Sequence, residues 1–126
     1  MKTSKIFYKN SYFTTAKIYD TSFSKVKGLM FSSPLKKNES LLFVTEKENI
    51  TELSIHSLFV FFSFDAVWLD KRCQIVDIQG NIKPFTLYRQ PKRKAQYLLE
   101  LPLGKSKRLA LGNKLIVKFK SYSNVR

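Results

Sequence analysis

The chain has 126 residues and a mass of 14.7 kDa, which leaves room for one hydrophobic core and no second catalytic unit, so a single domain over residues 1–126 is expected. A hydrophobic content of 44% with 25% charged residues excludes disorder and fibrous repeats, and the lone Cys73 excludes an internal disulfide or a cysteine-based zinc site. The 23 Lys and Arg against 9 Asp and Glu give a net charge of +14, and its placement is uneven: residues 1–82 carry +3, while residues 83–126, whose only acid is Glu100, carry +11. A field of that sign draws polyanions such as nucleic acid, anionic lipid or acidic protein, without specifying a fold.

Taken in chain order, Met1 to Lys9 is broken by lysines before any apolar run develops, so no signal peptide is expected and the cytoplasm is the default location. Short apolar stretches separated by polar turns then favour a mainly β domain. Alternation marks strands at Thr14 to Tyr19, Leu41 to Thr45 and Ser54 to Phe59, then Asp65 to Asp70 and Gln74 to Ile78 on either side of an Asp70-Lys71-Arg72 turn. Gln79-Gly80-Asn81 offers positive φ for another tight turn. Further strands are expected at Gln96 to Leu101 and Lys114 to Tyr122, the latter with Leu115, Val117 and Phe119 on one face and Lys114, Lys118 and Lys120 on the other. Ser22 can cap a short helix from Phe23 through Val26 to Met30, ended by Pro34, and Ser106 to Leu111 fits a single turn before Gly112-Asn113. Glu46 to Thr51 and Tyr88 to Lys94 read as loops. The longest uncharged run, Leu53 to Phe64, is too short to span a bilayer as a helix.

Five segments recur in a recognisable order. Gly28-Leu29-Met30-Phe31, Leu41-Leu42-Phe43-Val44, Ile55-His56-Ser57-Leu58-Phe59-Val60-Phe61-Phe62, Asp65-Ala66-Val67-Trp68-Leu69-Asp70 and Ala95-Gln96-Tyr97-Leu98-Leu99-Glu100-Leu101 together resemble the domain-of-unknown-function family 192 across about residues 16–118. The resemblance implies a β-sandwich or half-open barrel with a short helix carrying the Gly-Leu-Met segment, a candidate family pocket at His56 and Asp65, and no established activity. Ser32 stands where that family commonly has Arg, and Ser63 where it usually has Pro.

Among residues able to do chemistry, His56 is the only histidine, so a hydrolase triad would need it as base, with a neighbouring serine as nucleophile and Asp65 to orient the ring. Strand geometry opposes this, because Ser57 points away from His56 and Ser54 lies roughly 7 Å along the strand. Alternation puts Asp65 with Val67 and Leu69 on the face to be buried, where a carboxylate needs hydrogen bonds, a counter-charge or a proton. The N–H groups of the Phe59 to Ser63 bend are its expected donors; the functional reading makes it a general acid or base. Glu100 reads as a partial neutraliser of the basic third. No metal site or cofactor is expected.

Binding is better supported than catalysis. Arg89, Lys92, Arg93 and Lys94 in an exposed loop, with Lys105, Lys107, Arg108, Lys118 and Lys120, could form one polyanion-binding surface, and Tyr88, Tyr97 or Tyr122 could stack on bases. No ribonucleoprotein-type aromatic box, glycine-rich clamp or zinc knuckle is present. The expectation is a non-enzymatic module for a polyanion such as nucleic acid. The alternatives are a small-molecule or peptide module with an apolar aromatic mouth near Phe59 to Phe64, attachment to anionic membranes, and a hydrolase using His56 and Asp65.

Overall fold

Segments rich in β-branched and aromatic residues assemble into a single seven-stranded sheet in the computed structural model, which describes residues 2–20, 33–55, 60–86 and 88–119. The strands are β1 (Thr3–Tyr8), β2 (Ser11–Tyr19), β3 (Glu39–Asn49), β4 (Phe64–Leu69), β5 (Ile75–Ile82), β6 (Ala95–Pro102) and β7 (Ile116–Phe119), with a 3-10 turn at Lys105–Arg108. They lie side by side in the order β5-β4-β6-β3-β2-β1-β7. β2 and β3 run parallel and the other neighbours antiparallel. Gln74 bridges Lys114, and the Ile75 N–H donates to the Asn113 carbonyl at 2.8 Å, so the lead-in to β7 folds onto the start of β5. The two edge strands meet there without a continuous ladder, which makes the sheet a half-open barrel.

Two cores lie on opposite faces of this sheet. Ile6, Phe13, Leu42, Val67, Leu99 and Leu101 belong to the inner one, capped by Leu109 just after the 3-10 turn. Tyr19, Phe43, Phe64, Trp68 and Leu98 belong to the outer one, roofed by Leu53, Ile55 and Val60 from the chain between β3 and β4. Every side chain of β4 is buried, because each face of that strand meets a core. Trp68, fully buried, satisfies its indole by donating to the Leu53 carbonyl at 3.0 Å.

The mainly β expectation holds, and its boundaries shift for local reasons. β1 adds a strand that alternation does not mark; it is tied to β2 by a two-residue loop in which Lys9 and Asn10 take φ of 50° and 65°, a hairpin geometry usually signalled by glycine. β3 continues through Glu46–Asn49, expected as loop. Gly80 and Asn81 do not end a strand: they lie inside β5, both opposite Asp65 between the pairs Phe64–Ile82 and Ala66–Gln79, with Asn81 at φ 54° in a bulge. The Asp70-Lys71-Arg72 turn forms as expected, closed by Asp70 Oδ1 accepting from the N–H groups of Arg72 and Gln74. Of the segment Ser54 to Phe59, Ile55 makes an isolated bridge to Arg89, and residues 56–59 lie outside the described residues. So do the expected helix over 22–30 and the end of the last strand. No helix among the described residues is long and apolar enough to cross a membrane.

Candidate functional site

The basic side chains expected to share one surface fall into three places. Arg89, Lys92, Arg93 and Lys94 lie just before β6 and Lys105, Lys107 and Arg108 just after it, and a strand of that length holds the two groups roughly 25 Å apart. Lys118 stands on β7, with β3, β2 and β1 between it and β6. Lys120 and Tyr122 lie outside the described residues. The members of the expected surface thus stand at three places along the sheet, the first two at opposite ends of β6.

The loop before β6 is anchored through its backbone. Arg89 exchanges two hydrogen bonds with Ile55, at 2.7 and 2.8 Å, and the Lys92 N–H donates to Asp77 Oδ2 at 3.2 Å. The side chains of Arg89, Lys92, Arg93 and Lys94 remain exposed. Replacing Arg89, Lys92 and Arg93 together with Ala should change the unfolding free energy by no more than about 0.5 kcal/mol per site, since exposed charges contribute little; urea denaturation checks it. Tyr88 is exposed, its hydroxyl donating to Gln90 Oε1 and accepting from Ser54. Tyr97 packs its half-buried ring against the inner core, and burial raises its hydroxyl pKa.

The group after β6 is built differently. Lys105 Nζ and the Arg108 guanidinium lie 5.1 and 5.2 Å from the centre of the Phe13 ring, itself buried at the barrel end. Lys105 Nζ also donates to the Lys37 carbonyl at 2.9 Å. Burial, then the charges of Arg108 and Lys37, push the Lys105 ammonium below its ordinary pKa. Like charges gather here on one aromatic ring and one carbonyl, and none of the three makes an ion pair among the described residues. The sequence does not single out Lys37, because nothing in a Lys-Lys pair before a strand reveals that it meets a turn 68 residues later.

Two carboxylates are sequestered. Asp65 is 1% exposed; its Oδ1 accepts from the Asn81 N–H at 2.9 Å and its Oδ2 from the Ser106 N–H at 2.9 Å and hydroxyl at 2.6 Å. The expected buried, hydrogen-bonded acid is present, with different donors: the β5 bulge and the 3-10 turn replace the Phe59 to Ser63 bend. Both oxygens are thus engaged in joining three segments. His56 lies outside the described residues. Glu100 is not a surface neutraliser: it is 6% exposed on the outer-core face of β6 between Leu41 and Ala66, with no hydrogen-bond partner for Oε1, and burial pushes its pKa up to about 8.

Of the expected mouth near Phe59 to Phe64, Phe59 lies outside the described residues, Val60, Phe62 and Phe64 pack in or against the outer core, and Phe61 stays exposed and packs edge-on against Phe85 at 5.6 Å. A groove of about 430 Å³ opens instead along β2 and the start of β3, lined by Thr15, Lys17, Tyr19, Leu35, Glu39 and Leu41.

Comparison with known proteins finds a match over residues 6–117 to the model of the family DUF192, described as Uncharacterized ACR. A UPF0127 protein of Thermococcus kodakarensis is 36% identical over 88 residues, covering 70% of this chain and 54% of that protein. A UPF0127 protein of Pyrococcus horikoshii is 34% identical over 88 residues, covering 70% and 72%. The chain spans about half the length of the Thermococcus relatives it matches. Two crystal structures share the fold at 16% identity: a candidate transcription regulator of Sinorhizobium meliloti, with a TM-score of 0.81 and 92% of each chain covered, and a protein of unknown function from Novosphingobium aromaticivorans, with a TM-score of 0.78 and 92% and 84% covered.

Proposed function

The chain belongs to the uncharacterised DUF192 family, and within it we propose that this member is a non-enzymatic module that binds a polyanion, nucleic acid in particular. The observation that carries this reading is the placement of Lys105 and Arg108 over the buried Phe13 ring, with Lys105 held on the Lys37 carbonyl and its pKa lowered by burial, Arg108 and Lys37. Cations held together without ion-pair partners lower their mutual repulsion when an anion arrives, and a phosphate there would meet a Lys105 ammonium already partly desolvated. The net charge of +14 adds long-range attraction, and the exposed cations of the Arg89 to Lys94 loop add secondary contacts. No step of catalysis is assigned to Asp65, whose oxygens serve the fold.

Fluorescence anisotropy with labelled oligothymidylate and labelled inorganic polyphosphate tests the reading. Affinity for both should fall about tenfold or more between 50 and 200 mM salt, because displaced counterions drive phosphate binding. Lys105→Gln with Arg108→Gln should weaken both probes and lower the salt slope by about one for each phosphate no longer neutralised. Wild-type protein that binds neither probe at low salt ends this reading. The groove beside Tyr19 is the feature a small-molecule reading rests on, and a compound found by mass spectrometry in protein purified at low salt would favour it instead.

A further inference from the structure

The outward face of β7, β1 and β2 differs from the rest of the sheet. Ile6 and Tyr8 point into the inner core, so alternation turns Thr3, Lys5 and Phe7 outward. The register then sets three rows across the strands. Ile116, Phe7 and Tyr12 lie side by side, next to them Lys118, Lys5 and Thr15, and beyond those Thr3 and Lys17. Ile116 is 52% and Tyr12 40% exposed, Phe7 is half-buried, and all three lysines are exposed or nearly so. Phe7 and Tyr12 meet edge to face at 6.1 Å, Lys118 Nζ sits 5.1 Å from the Phe7 ring centre, and the Tyr12 hydroxyl is fixed to Thr15 Oγ1 at 2.6 Å.

Lys5 and Lys118 directly face each other, an arrangement that costs stability in an antiparallel pair. Among the described residues none of Lys5, Lys17 and Lys118 makes an ion pair. We propose that this sheet face is a platform for single-stranded nucleic acid, with bases stacked on Phe7 and Tyr12 and phosphates paired with Lys5, Lys17 and Lys118. The inference rests on the polyanion reading and narrows it to a strand with unpaired bases. Charge complementarity favours an anion, and an exposed Tyr12 ring beside the half-buried Phe7, one lysine row away, favours an anion that carries flat faces. A duplex hides its base faces, and polyphosphate has none.

Oligothymidylate and inorganic polyphosphate, each measured by anisotropy against the intact protein, separate this inference from the broader one. Wild-type protein should prefer oligothymidylate. Tyr12→Leu, and the double variant Phe7→Leu with Tyr12→Leu, should lose about tenfold or more per ring for oligothymidylate while polyphosphate binding stays unchanged, as base stacking predicts. Lys5→Gln with Lys118→Gln should weaken both probes and reduce the salt slope. Polyphosphate binding with oligothymidylate affinity insensitive to Tyr12→Leu overturns the platform and leaves the polyanion reading standing; binding of neither probe ends both. Binding to phosphatidylserine vesicles without binding to oligothymidylate overturns the platform in favour of a membrane surface. If the double variant fails to fold by circular dichroism, Tyr12→Leu alone decides, since that ring is solvent-facing.

Discussion

Asp65→Asn is expected to destabilise the fold by about 2–4 kcal/mol, the range for buried donors left without their acceptor. Asp65 offers two acceptor oxygens to three donors, the N–H of Asn81, the N–H of Ser106 and the Ser106 hydroxyl. An amide keeps one oxygen and replaces the other with an NH₂ group. Facing Asn81, that group meets an N–H; facing Ser106, it meets an N–H and leaves the hydroxyl to turn away. No rotation satisfies both sides. The loss also unties the β5 bulge from the 3-10 turn, and that turn carries Lys105 and Arg108, so the cation group should loosen with it. Ser106→Ala removes only the 2.6 Å hydroxyl bond and should cost less, about 1–2 kcal/mol. Urea unfolding of both variants and their double mutant checks this, with a coupling energy expected between the sites. Asp65→Asn as stable as wild type would show that the carboxylate does not hold these segments together.

How much of the molecule is legible in its sequence depends on how local the signal is. β4 is readable because Asp65-Ala66-Val67-Trp68-Leu69 is largely apolar and ends in a turn whose Asp70 caps its own backbone. The burial of Asp65 follows from alternation, while its partners do not: Asn81 and Ser106 are 16 and 41 residues away and reach it through sheet pairing and the turn after β6. Gly80-Asn81 carries the residues of a tight turn, yet Asp65 accepts the Asn81 N–H that the bulge withdraws from the ladder, so the strand continues. The platform residues escape a sequence reading for a related reason. Lys5, Phe7, Tyr12 and Lys17 lie in the less basic part of the chain, and Lys118 comes beside them only because β7 adds to the far side of β1. Net charge by segment points to the C-terminal third, whereas sheet order decides which cations share a face.

Glu100→Gln should flatten the dependence of stability on pH. The wild-type carboxyl lies near 4.5 in the unfolded chain and at about 8 in the folded one, because burial between Leu41 and Ala66 disfavours its charge. A raised folded value means the native state holds the proton more tightly than the unfolded chain. Glu100 therefore leaves stability undiminished below about pH 4.5, and stability falls as pH rises from there through about 8. Above that window the protein must either bury an uncompensated charge or let water reach it, and Oε1 has no partner to soften the choice. Tyr19 registers the same field, its hydroxyl held above the ordinary pKa by burial and then by the Glu100 charge. Gln keeps the shape and cannot ionise. The variant should match wild type near pH 5 and exceed it above pH 8 by a few kcal/mol, with roughly 5 kcal/mol as the ceiling set by a shift of that size. Thermal melts of the two proteins across that range check it. Parallel curves from pH 5 to 8.5 would show that Glu100 ionises in the fold as freely as in water, and the outer core would then have to admit solvent beside Tyr19 and Leu41.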